Sequence, residues 1–66
     1  MKITVDGQAK EVRDNLTVAG LLQLEGEPAD HVLVEINNVF VPPSEHASRA
    51  LQEGDEVEII LPAYGG

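Results

Sequence analysis

The 66-residue chain predicts an α+β fold, a mixed sheet of four to five strands with one main helix on one face. Three observations carry that expectation. Runs near both ends alternate apolar and polar residues with period two, as half-buried strands do. Val18, Leu21 and Leu22 recur at the i, i+3, i+4 spacing of a helix face. Between the strand-like runs stand the turn-forming pairs Asp6-Gly7 and Asn37-Asn38.

Met1 to Asp6 places Met1, Ile3 and Val5 on one face and Lys2, Thr4 and Asp6 on the other. Asp6-Gly7 then turns the chain through positive φ into a second strand, roughly Gln8 to Arg13. Only Ala9 and Val12 are clearly apolar in that strand, which points to a sheet edge. Thr17 is a fitting N-cap for a helix running to about Glu25, with Leu16 and Leu21 at the staple positions that flank the cap. Gly20 inside this helix costs about 1 kcal/mol relative to Ala, and a close approach of helix to strand is expected to explain it. Gly26 ends the helix, and Pro28 follows shortly.

From His31 to Asn37 a third strand points Val32, Val34 and Ile36 one way and Leu33 and Glu35 the other. Val39 to Val41 forms a short fourth strand halted by Pro42-Pro43. Ser44 to Leu51 reads as irregular connection with one helical turn, anchored by Leu51, and Gln52 to Asp55 as a turn. In the final strand, Glu56 to Leu61, Val57, Ile59 and Leu61 lie on one face and Glu56, Glu58 and Ile60 on the other. A hairpin, a crossover helix and a last strand parallel to the first make a β-grasp with one sheet face left open. The expected domain spans residues 1–62, followed by a flexible tail at 63–66.

Composition narrows the function. A domain this small buries only about 60% of the surface its unfolded chain exposes, so the core is small. Twelve acidic residues against four basic ones give a net charge of -8, which argues against nucleic acid and anionic membrane surfaces and favours basic protein surfaces. Without cysteine the chain has no disulfide, thiolate ligand or persulfide nucleophile of its own. No apolar run approaches the roughly 20 residues of a membrane span, and the start, MKITVDG, lacks a signal-peptide core, so a cytoplasmic protein is expected.

The end of the sequence, Ala63-Tyr64-Gly65-Gly66, suggests where chemistry happens. Two glycines carry no Cβ, so this tail can thread a channel too narrow for other residues. Four extended residues reach at most about 13 Å, enough to enter a partner's active site. A terminal carboxyl with a pKa of roughly 3.5 is ionised at neutral pH and a poor electrophile, so it needs activation before anything attaches to it.

MKITVDG at the start, LTVAGLLQ at the helix, VLVEINNVFVPPSE in the middle and LQEGDEVEIILPAYGG at the end together resemble the thiamine-biosynthesis sulfur carrier family of small ubiquitin-like proteins. The resemblance covers essentially the whole chain. It departs at His46, where many relatives carry tryptophan, and at Asn38, where the turn usually has glycine. The resemblance implies a carrier, not an enzyme. An adenylating enzyme of the ubiquitin-activating type would use ATP and Mg to adenylate Gly66, and a sulfurtransferase or cysteine desulfurase would supply persulfide sulfur. The resulting thiocarboxylate would serve thiazole synthase, with no cofactor bound by the chain and a monomer when free. Related carriers serve molybdopterin, cysteine synthesis or tRNA thiolation, and a ubiquitin-like protein modifier would share the terminus and its activation.

Beside Gly66, the candidate partner-binding residues are Gly65, Tyr64, Pro62, Ile60 and Leu33. Leu33, Ile60 and Pro62 would form an apolar patch on the sheet face away from the helix, or stand as ordinary scattered surface residues. Tyr64 either lines a partner's channel or shields the end of the sheet. Asp55 is expected to serve its turn, and Glu53, Glu56 and Glu58 to form a solvated face or meet basic residues of a partner. His31 and His46 lack ligand-like spacing, and Ser44 and Ser48 lack a nearby base, so neither pair is a candidate for metal binding or catalysis.

Overall fold

The computed structural model describes residues 1–61. The expectations placed on Pro62, Ala63, Tyr64, Gly65 and Gly66, the 63–66 tail among them, lie outside the described residues. Strands β1 (Lys2–Val5) and β2 (Gln8–Glu11) are followed by helix α1 (Val18–Glu25), then β3 (Leu33–Ile36), β4 (Val39–Val41) and β5 (Glu56–Ile60). They build a single five-stranded sheet in the order β2-β1-β5-β3-β4. β5 runs parallel to β1, and the β1/β2, β3/β4 and β3/β5 pairs are antiparallel. This is the β-grasp arrangement, with the thin-patterned β2 at an edge as its composition predicts.

Both hairpins are two-residue turns whose central residues hold positive φ, Asp6 (50°) with Gly7 (83°) and Asn37 (52°) with Asn38 (68°). That geometry matches the right-handed twist of the flanking strands, and Asn and Asp are the non-glycine residues that best tolerate it. The Asn38 departure is therefore accommodated by the backbone.

α1 begins and ends as its sequence signals. The Thr17 hydroxyl accepts the Gly20 amide at 3.1 Å. At the other end Gly26 adopts φ 72°, donating to the Gln23 carbonyl at 3.2 Å, and the Glu27 amide donates to the Leu22 carbonyl at 3.0 Å. These two bonds satisfy carbonyls the last turn leaves open. The reason for Gly20 differs from the expected one. A Cβ there would lie 2.8 Å from Leu16 Cδ1, so glycine makes room for the fully buried side chain that leads into the helix, not for a strand.

Val18, Leu21 and Leu22 press onto a sheet face formed by Ile3, Val5, Val34, Ile36, Val41 and Val57, and Leu16, Val32 and Leu51 close the core. Leu51 is the anchor its segment predicted, and its amide donates to the Leu16 carbonyl at 2.8 Å. Around it, a short 3-10 turn (Pro43–Glu45) and an isolated bridge between Thr17 and Ala50 tie the long connection to the helix start.

Several sequence boundaries move inward. β2 ends at Glu11, although Val12 still donates its amide to the Met1 carbonyl at 2.8 Å before the chain turns toward the helix. His31 belongs to a 3-10 turn, Ala29–His31, and not to the third strand. Leu61, expected on the core face, is 61% exposed, because β5 ends at Ile60 and the alternation stops with it.

The fold makes a contrast measurable by urea denaturation. Leu16→Ala empties a fully buried site and is expected to cost about 2–5 kcal/mol. Leu24→Ala, on α1 but 64% exposed, is expected to change stability by less than about 0.5 kcal/mol. Equal costs would contradict the packing described here.

Candidate functional site

Alternation along the strands sends every second residue to the sheet face that α1 does not cover. In β3 and β5 those residues are Leu33, Glu35, Glu56, Glu58 and Ile60. Register decides which of them meet. Leu33 stands directly opposite Ile60, so the two predicted apolar contact residues are neighbours, with Leu33 44% exposed. Pro62, the third member of that expected patch, lies outside the described residues, as do Tyr64, Gly65 and Gly66.

Phe40 joins this surface. It stands opposite Glu35 on the edge strand and is 50% exposed. Sequence reasoning placed it only in a short strand, because three residues, all apolar, give alternation too little to show which side chain faces out. Burial of Val41 on the core side is the signal, visible only in the fold.

Between the apolar residues lies an electrostatic conflict. Glu35 faces Glu58 directly across β3 and β5. Opposed residues in such a pair have Cα atoms roughly 5 Å apart, and like charges there are destabilising. Neither glutamate takes part in an ion pair among the described residues, where the pairs of side chains are Lys10 with Glu25 at 2.8 Å and His31 with Asp30 at 3.8 Å. The open face thus combines apolar groups with unneutralised negative charge.

Two other acids near β5, Asp55 and Glu53, have structural work. Asp55 is buried and serves its turn, its carboxylate accepting the Gln52 amide at 2.9 Å and the Asn37 side-chain amide at 3.1 Å. Asn37 in turn accepts the Glu56 amide at 3.0 Å, which joins the β3–β4 turn to the start of β5. Glu53 accepts the Lys2 amide at 3.0 Å. His46 is buried with its Nε2 3.2 Å from the Val41 carbonyl oxygen, a packing role. Among the described residues no three His, Asp or Glu side chains are grouped to hold a metal, and no helix is long and apolar enough to cross a membrane.

Comparison with known proteins places this geometry. The model of the ThiS family matches residues 2–66. A thiazole synthase from Paramagnetospirillum magneticum is 35% identical over 66 residues, a match that takes in all of this chain but 20% of that protein's length. The crystal structure of a thiamine biosynthesis protein (ThiS) from Geobacter metallireducens is 30% identical with a TM-score of 0.86, each chain covered completely. A solution structure of a thiamine biosynthesis protein from the same organism gives 29% identity and a TM-score of 0.79 over all of this chain and 88% of that one.

The opposed glutamates make a stability test. Glu58→Lys turns a repulsive cross-strand pair into an attractive one and is expected to raise stability by about 1 kcal/mol at low salt. The gain should shrink in about 1 M salt, where the screening length falls to about 3 Å. A variant no more stable than the parent at low salt would show that the two carboxylates do not interact.

Proposed function

The chain belongs to the ThiS family, and from that premise we propose that it is a sulfur carrier whose chemistry takes place at the carboxyl of Gly66. The observation that carries this reading is the family match, which extends through Gly65 and Gly66. The chain itself is no enzyme in this reading; it offers an address, the open sheet face, and a reach, the tail.

An ionised carboxylate does not accept nucleophiles. Attack of a Gly66 carboxylate oxygen on the α-phosphorus of ATP, with loss of pyrophosphate, attaches a good leaving group and makes the terminal carbon electrophilic. The nucleotide and its magnesium belong to the adenylating partner, of the ubiquitin-activating type. The terminal sulfur of a persulfide on a sulfurtransferase or cysteine desulfurase attacks that carbon and expels AMP, giving an acyl disulfide. A second thiol then attacks the donor-side sulfur, forming a disulfide with the donor and releasing the thiocarboxylate, which keeps the sulfur nucleophilic and bound. Gly65, without a side chain, lets the terminus pass into each active site, and Tyr64 packs in the channel behind it.

Leu33, Phe40 and Ile60 supply the apolar part of the contact surface, and Pro62 is a further candidate contact residue. The net charge of -8 steers the carrier toward basic partner surfaces. Thiazole formation in thiamine biosynthesis is the proposed destination, with thiazole synthase as acceptor, because the solved relatives are thiamine biosynthesis proteins and a thiazole synthase contains a segment similar to this whole chain. The setting of this cycle is the cytoplasm.

Intact-protein mass spectrometry tests the proposal. Incubated with its adenylating enzyme, MgATP and a persulfide donor, the chain is expected to gain the mass difference between sulfur and oxygen, and a chain lacking Gly65 and Gly66 is expected to gain nothing. Addition of a whole target protein's mass would identify a protein modifier instead. In the same assay Leu33→Asp is expected to raise the KM of adenylation about tenfold or more, as loss of a central apolar contact does, with thermal stability kept. An unchanged KM would remove the open face from the interface.

A further inference from the structure

β1 ends at Val5, and the chain turns away at Asp6 through a positive φ of 50°. In a parallel ladder a residue donates its amide to one strand neighbour and accepts, through its carbonyl, the amide two residues further on. Asp6 keeps the first half of that pattern, its amide donating to the Val57 carbonyl at 2.9 Å. Its backbone carbonyl has been turned aside, and the side chain takes over the second half. The Ile59 amide donates to Asp6 Oδ1 at 3.0 Å.

A side chain therefore supplies one more rung of the β1–β5 ladder after the strand has ended. This rung lies on the strand that runs into the Gly-Gly tail, three residues before Pro62, which has no amide proton to donate. On the other side of β5, pairing with β3 continues to Ile60 opposite Leu33. Asp6 thus holds the β1 side of β5 alongside the last β3 rungs, and sets where the chain can leave the sheet.

We infer that Asp6 is a positioning residue for the tail: its carboxylate fixes the root of the leash, so that the terminus is delivered to a partner's active site from a defined point. The inference rests on the carrier reading for its functional consequence, and on the Ile59 contact alone for its structural one. Glycine is the informative substitution, because Asp6→Gly keeps the positive φ and the amide while removing the acceptor. Asp6→Asn retains a side-chain oxygen at the same position and serves as the rescue.

Amide hydrogen exchange and adenylation kinetics test it together. In Asp6→Gly the Ile59 amide is expected to exchange about tenfold faster, with Val57 and Val34 unchanged, and Asp6→Asn is expected to restore protection. With the adenylating enzyme and MgATP, Asp6→Gly is expected to lower kcat about tenfold through poorer placement of the terminus. KM, set by the intact sheet face, should stay within about twofold, and Asp6→Asn should recover kcat. Unchanged Ile59 exchange in Asp6→Gly would overturn the tether, and altered exchange with unaltered kcat would overturn its positioning role. If the parent chain is not adenylated at all, the carrier reading fails, while the exchange result still decides whether Asp6 holds the strand.

Discussion

Pairing of β5 between β1 and β3 is the constraint on which this molecule depends. The last strand in sequence occupies the middle of the sheet, so Val57 packs among residues from both ends of the chain. A central strand contributed last closes the longest loop in the fold, a cost in chain entropy that must be met before its contacts form. The hydrogen bonds around it are correspondingly dense. Gly54 donates to the Lys2 carbonyl, Thr4 to the Asp55 carbonyl and Asn37 to the Glu56 carbonyl, each within 3.0 Å. Asp55 and Asn37 add side-chain bonds at the same place, so the start of β5 is held from both neighbours.

That arrangement separates two tasks. One sheet face and α1 form most of the apolar core, which in a domain of this size leaves little redundancy. The other face is free of that duty and carries Leu33, Phe40 and Ile60 beside the opposed Glu35 and Glu58. Retaining a repulsive pair at the sheet centre costs stability. Because β5 contributes to both faces and precedes the last residues of the sequence, the proposed docking face and the proposed site of chemistry share one strand.

Much of the fold was legible from local chemistry. Thr17 and Gly26 bound the helix because capping satisfies backbone groups within a turn of the residue concerned. Asp6-Gly7 and Asn37-Asn38 mark hairpins because few other residues adopt their backbone angles. Where reading failed, the cause was non-local. Gly20 answers to Leu16 rather than to a strand, and Leu61 stays exposed because β5 ends one residue before it, neither of which a pattern of alternation can express. Phe40 was silent for the same reason: its side of the strand follows from pairing with Glu35.

By itself, the sequence determined the element types, their order, the β-grasp class and, through family resemblance and the final glycines, the kind of chemistry to expect. Those properties follow from periodicity and from the conformational limits of single residues, which act over a few positions. Only the tertiary structure decided that Glu35 opposes Glu58, that Leu33 meets Ile60, and that the Asp6 carboxylate receives an amide 53 residues away. Such pairings depend on the register of strands distant in the chain, and register is set by how the whole core packs.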